Sequence, residues 1–238
     1  FADEPLLPQD YSYRYRETGY AIGQQFGYVV DRYFTSEEDI EASPTQTVGA
    51  GSPKPGDFKY KDLNNDGAVD ERDVAPILHT NVPEYTYGAA FSVNYKALDF
   101  SFLLQGISKV SNFYSGAGVF PRGTYLERHL NSWTPERQAN GDPISYPRLT
   151  TGTSPSQIAN SFFIIDGSYL RLKNVELGYT LPKRLTNPVG IGSVRVYTNG
   201  LNLLTWDKLP TKDIDPEQTT NYAYPIQRIF NFGVNIVF

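Results

Sequence analysis

Residues Arg228–Phe238 read RIFNFGVNIVF, and the chain ends on the aromatic Phe238. Phe230, Phe232, Val234, Ile236 and Phe238 share one parity. Asn231, Gly233 and Asn235 share the other, with Ile229 and Val237 as apolar exceptions. Side chains of a strand alternate between faces, so one face is oily and the other mostly small and polar. Two architectures present such a strand. One is the edge of a soluble sandwich. The other is the closing strand of an outer-membrane barrel, with its apolar face to lipid and its polar face to the lumen.

The same alternation recurs upstream. Tyr85, Tyr87, Ala89, Phe91, Val93 and Tyr95 stand opposite Thr86, Gly88, Ala90, Ser92 and Asn94. Lys96-Ala97 makes a tight turn, and Leu98, Phe100, Phe102 and Leu104 then oppose Asp99, Ser101 and Gln105. Val175, Leu177 and Tyr179 oppose Glu176, Gly178 and Thr180. Just before them Leu170 and Leu172 break parity, which predicts either a bulge near Asn174 or a half-strand that rises above the hydrocarbon. Five strands are expected, over 85–95, 98–107, 169–180, 193–204 and 227–238. The short connections fall on one side and the long ones, including 108–168 and 205–226, on the other. Barrels of the outer membrane sort their loops this way. The expected fold is therefore all-β: an antiparallel transmembrane β-barrel segment with long extracellular loops and a periplasmic C-terminus. Residues 1–84 are expected to be an extracellular loop region, and 85–238 the C-terminal barrel strands and their loops.

Hydrophobic content is low for a packed α/β core and is the level expected of a barrel with a wet inside. The 238 residues are 39% hydrophobic and include 18 Tyr and 14 Phe. Cys is absent, so no disulfide or thiolate site exists. Met is absent and residue 1 is Phe. The chain is accordingly expected to be a mature form, a proteolytic piece or part of a longer protein. A net charge of -5 argues against a nucleic-acid partner.

One segment carries coordination chemistry. Asp62-Leu63-Asn64-Asn65-Asp66-Gly67-Ala68-Val69-Asp70-Glu71-Arg72-Asp73 has the spacing of a calcium loop. Asp62, Asn64 and Asp66 supply the first three oxygens, and Gly67 allows the sharp turn. Ala68 offers its carbonyl, Asp70 a direct or water-bridged ligand, and Asp73 the last position. A structural Ca2+ would pin a long loop that is costly to order. The competing reading is a polar turn followed by a helical turn that Asp70 caps. His79 and His129 have no neighbouring His or Cys, so no zinc site is expected. Trp133, Trp206 and Tyr222 would suit stacking on sugar rings or plain loop packing. No nucleophile, base and orienter occur together, so no enzyme is expected.

Several segments together resemble the SusC/RagA family of TonB-dependent transporters. They are Gly19–Asp31 (GYAIGQQFGYVVD), Phe34–Ile40 (FTSEEDI), Pro55–Asp62 (PGDFKYKD), Asn131–Glu136 (NSWTPE), Asp166–Val175 (DGSYLRLKNV) and the closing strand. Ala21 departs from a proline common in the family. The resemblance implies the last five strands of a barrel of about 22, with a plugged lumen. It also implies energised import of oligosaccharides or peptides, a SusD-like surface lipoprotein as lid, and outer-membrane lipid around the wall. TonB would act through an N-terminal part that these residues do not include. A passive porin-like channel and a soluble calcium-binding adhesion module are the competing functions.

Overall fold

The computed structural model describes residues 18–114, 127–212, 214–218 and 226–238. These residues group into two compact units.

The first unit gathers the described parts of Phe1–Val82, Val110–Asp166 and Leu209–Ala223. It opens with β1 (Gln24–Gly27), β2 (Val30–Tyr33), helix α1 (Glu37–Glu41), β3 (Thr45–Gln46), β4 (Phe58–Tyr60), β5 (Ala68–Val69) and β6 (Ala75–Thr80). Ser36 caps α1 by accepting from the Asp39 amide, and Glu37, Glu38 and Asp39 suit the positive helix end. The short strands pair as β1 with β6, β2 with β4, and β3 with β5. Among the described residues no long ladder holds this unit. An aromatic core does: Phe58, Tyr60, Val69, Tyr146 and Phe163 are buried together, with Tyr28, Tyr33 and Phe162 against them. The Phe58 ring lies 5.0 Å from Phe162 and 6.0 Å from Phe163, centroid to centroid. Such offset and edge-on contacts add to the burial term.

Side chains stand in for missing ladders. Gln46 donates to the Phe58 carbonyl and accepts from the Tyr60 amide, both at 3.0 Å, so its amide group imitates a strand against β4. Asp57 is fully buried and accepts from Ser154 Oγ at 2.8 Å, Arg148 Nη2 at 3.0 Å and the Lys54 amide at 3.0 Å. It thereby ties the 54–57 turn to chain about ninety residues away. A buried carboxylate persists only with such full pairing.

The second unit gathers Pro83–Lys109, Gly167–Lys208 and Tyr224–Phe238, where described. The chain reaches β7 (Tyr85–Tyr95) and β8 (Leu98–Ser108), then leaves for the first unit's β9 (Ser111–Phe113), α2 (Pro135–Asn140) and β10 (Ile164–Asp166). It returns as β11 (Tyr169–Thr180), α3 (Lys183–Thr186), β12 (Ser193–Asp207) and β13 (Ile229–Val237). The sheet order is β13-β12-β11-β8-β7, antiparallel throughout. Lys96 takes φ 56°, the left-handed backbone that a two-residue hairpin demands. Register shifts between Leu172 and Asn174 in both ladders of β11. That bulge explains the broken parity of Leu170 and Leu172.

The sheet is open. β7 pairs only with β8 and β13 only with β12, so both outer edges lack a ladder among the described residues. This overturns the expected transmembrane β-barrel segment. The reading as the C-terminal part of a barrel fails with it, as does the outer-membrane placement with periplasmic C-terminus and extracellular loops. The physical reason lies in what alternation reports. It tells that a sheet has two unlike faces, and open antiparallel sheets have these as well as closed ones. Among the described residues no helix is long and apolar enough to cross a membrane, a fact without bearing on strands.

Candidate functional site

The acid loop runs from Asp62 to Asp73 between β4 and β6. Gly67 at φ +86° and Asn65 at φ 61° supply the left-handed turns that curl it. Its carboxylates cap its own amides. Asp62 Oδ1 accepts from Asn65 N at 2.6 Å, and Oδ2 from Gly67 N at 2.9 Å. Asp66 Oδ1 accepts from Ala68 N at 3.0 Å, and Asn64 Oδ1 from Asp66 N at 3.0 Å. Asp73 is fully buried and accepts from Leu63 N at 2.7 Å and Asp70 N at 2.9 Å. With Asp70 it forms a capping box around the 3-10 turn Glu71–Asp73. The Gly67 and Val69 carbonyls accept from Thr45 and Thr47. The Ala68 carbonyl between them therefore points away from β3, because successive carbonyls of a strand alternate.

Arg72 is a member of this site that donor spacing alone does not flag. Its Nη2 lies 2.8 Å from Asp66 Oδ2 and 2.5 Å from Asp70 Oδ2, and its Nε 3.0 Å from Asp70 Oδ1. The guanidinium holds the Asp70 carboxyl below the usual carboxylate range. It bridges two of the acids that a cation would use. Among the described residues, no three His, Cys, Asp or Glu side chains are gathered tightly enough to hold a metal. The donor set itself, four carboxylates, one amide and one carbonyl, is the hard-oxygen chemistry that Ca2+ prefers. The residues fit the ion by type, and Arg72 stands in as the present counter-charge.

Other candidates separate clearly. Trp133 is buried and donates to Gln138 Oε1 at 3.2 Å, so it packs and does not present a stacking face. Trp206 is exposed. Tyr222 lies outside the described residues. His129 is buried edge-on to Tyr146 at 4.5 Å, and His79 sits in β6.

The sheet offers a second arrangement. Register places Ser92, Ser101, Glu176, Asn199 and Asn231 in one row across all five strands. Next to it Arg195 pairs with Glu176 at 2.6 Å and with both oxygens of Asp99. Gly178 makes this possible, since a Cβ there would collide with the Arg195 guanidinium and the Asp99 carboxylate. The opposite face carries Phe91, Val93, Leu177, Val196 and Phe232, all exposed. Arg195 and Asp99 lie 96 positions apart. Only the strand register, had it been known, would have joined them.

No family model matches the chain. It is 32% identical over 224 residues to a TonB-dependent receptor of Formosa agariphila, covering 85% of this chain and 21% of that protein. A second TonB-dependent receptor of the same organism is 28% identical over 238 residues, covering 92% and 22%. The chain thus spans about a fifth of the length of the curated relatives it matches. Among solved structures it is similar to the RagAB peptide importer in the open-open state, with TM-score 0.56, 24% identity, and 80% and 22% of the two chains covered. The closed-closed state of that importer gives TM-score 0.54 and 22% identity, over 90% and 21%. At these identities the structures speak for the fold. The two curated relatives are both TonB-dependent receptors, and the likeness to them runs along most of this chain.

Proposed function

We propose that this chain is part of a TonB-dependent nutrient transporter that imports peptides or oligosaccharides together with a SusD-like surface lipoprotein. One observation carries the reading: likeness to two TonB-dependent receptors runs along 85% and 92% of the chain. The fold's likeness to a peptide importer favours peptides as the first substrate class to try. Within this reading, Ca2+ is a structural cofactor of the acid loop. Asp62, Asn64, Asp66, the Ala68 carbonyl, Asp70 and Asp73 hold it, and it cross-links a segment that is otherwise held by amide caps and Arg72. The spacing of the oxygen donors supports this assignment.

The test uses cells that produce the full-length protein. Uptake of labelled peptides and labelled oligosaccharides is measured with and without TonB. Import of one class that stops without TonB, with the lipoprotein co-purifying, is the expected result. Import that continues unchanged without TonB would make the protein a passive channel and sink the reading. Calcium titration of wild-type protein and Asp66→Ala tests the loop separately. Equal heats from the two would remove the ion from this site.

A further inference from the structure

We infer that Asn140 is a site of spontaneous deamidation, set apart by the fold from the chain's other Asn-Gly step. The chain has two such steps, Asn140-Gly141 and Asn199-Gly200. The reaction needs the glycine amide nitrogen to reach the asparagine Cγ. Nitrogen attacks carbon, ammonia leaves, and a five-membered succinimide closes. Water then opens either carbonyl of that ring, giving aspartate or isoaspartate. No oxidant or enzyme enters, and one carboxylate replaces one amide.

The two steps differ in what restrains that nitrogen. Asn140 is the last residue of α2, and both it and Gly141 are exposed. Gly141 takes φ +70° as the left-handed cap, with nothing within 4 Å of the place a Cβ would occupy. Its amide donates to the Arg137 carbonyl and reaches the Gln138 carbonyl at 3.4 Å, bonds of a last exposed turn that open as the helix end frays. The next residue, Asp142, also donates its amide to the Arg137 carbonyl, at 3.0 Å. Fraying of this one exposed turn is enough to release the Gly141 amide toward Asn140 Cγ. Asn199-Gly200 lies inside β12, paired with Glu176 and Val175 on one side and with Asn231 and Phe230 on the other. The Asn199 side chain also accepts from Asn231 at 2.8 Å. Succinimide closure there requires two ladders to part. Asp66-Gly67, which can form the same ring, is restrained too, because the Gly67 amide is held by Asp62.

The new carboxylate would sit at the C-terminal end of α2, where negative charge is disfavoured, with Asp142 two residues on. Isoaspartate would also lengthen the backbone by one methylene at the cap. The modification therefore loosens the last turn of α2.

Peptide mapping of the aged full-length protein, with isoaspartyl methyltransferase to label the branched product, tests this. Under native conditions conversion at Asn140 should outpace that at Asn199 by about tenfold or more, the ratio expected when only one site must open locally. In denaturant the two should converge. Asn140→Gln should remove the signal from that peptide, and Gly141→Ala should slow it by crowding the attacking nitrogen. Equal native rates at the two sites, or an Asn140 that stays intact while Asn199 converts, would overturn the inference.

Discussion

The two units satisfy their backbones in opposite ways. The sheet of β7, β8 and β11–β13 does so with long ladders, and its side chains are exposed along the edge strands β7 and β13 and mostly half-buried along the inner three. Among the described residues the unit around Phe58 has no strand longer than β6, yet it buries Phe58, Tyr60, Tyr146 and Phe163 almost completely. Its irregular backbone is held by buried side chains instead: Gln46, Asp57, Ser156 and Asn160 all bond main-chain groups or each other. A ladder is tolerant, because removing one side chain leaves its hydrogen bonds in place. A side-chain network is not, because each member satisfies several groups that have no other partner.

Asp57→Ala puts the contrast under the greatest stress. The change leaves the Arg148 guanidinium, Ser154 Oγ and the Lys54 amide without their shared acceptor. A loss of about 3 kcal/mol is expected for breaking a buried pair of which one partner is partly exposed. Hydrogen exchange in the full-length protein would read it. Amides of 54–60 and 148–163 should exchange faster while β7–β13 stay unchanged. An equal loss of protection in the sheet would mean that the two units do not differ as described.

The matching change in the sheet is smaller and of another kind. Gly106 in β8 lies under the Tyr87 ring, and a Cβ there would stand 2.5 Å from both that ring and the Tyr169 carbonyl. Gly106→Ala must push both aside, at about 2 kcal/mol for an overpacked contact. The loss should stay at the Tyr87, Gly106 and Tyr169 rungs, because the Phe91–Phe102 stack and the rungs toward Lys96 do not depend on it. Gly88→Ala serves as control, since its Cβ would meet nothing closer than 3.4 Å. Similar destabilisation by both would show that the ladder, not the tyrosine, is the sensitive part.

This contrast also explains what a reader of the sequence can see. Strand alternation at Tyr85–Tyr95 and Phe230–Phe238 is local, so the two faces of the sheet are legible without coordinates. Ser36 followed by Glu37, Glu38 and Asp39 announces its helix for the same reason. Whether such a sheet closes is not local. It depends on strand count and edge partners, and the open edges of β7 and β13 are written in no side chain. The core around Phe58 escapes for a related reason. Its members come from 28–69 and 146–163, and no periodicity links them. In the acid loop the donors follow from spacing. Arg72 carried a readable signal, a cation two places after Asp70, but its bridge to Asp66 needs the curl that Gly67 permits.

The smallest expected effect compares one surface carboxylate from each unit under acid. Asp39 caps the start of the first unit's helix region, and Asp99 belongs to the sheet. Both carboxyls are held below the ordinary range, Asp39 first by its hydrogen bonds from Arg32 and Asp99 first by those from Arg195. A carboxylate whose folded pKa is depressed contributes stability that is present above the unfolded value, about 3.9. That contribution is lost as pH falls through the depressed folded value. Neither group should therefore respond between neutral pH and the ordinary carboxylate range. Below it they should part. Asp39 accepts from both Arg32 nitrogens, at 2.5 and 2.6 Å, and from the Thr35 amide and hydroxyl at 3.0 and 3.1 Å. Asp99 has its depressing bonds from Arg195 alone, a guanidinium it shares with Glu176. Asp99 should protonate first and Asp39 at lower pH, because protonating Asp39 gives up more bonds. Carboxyl carbon shifts in selectively labelled protein would follow the two groups, with the Thr35 amide as a second reporter for Asp39. Exposed pairs of this kind change stability little, so unfolding curves should barely move while the shifts do. If Asp39 titrates at or above the ordinary value, its four-bond cage does not exist in solution. The first unit's reliance on side-chain networks would then lose its surface example.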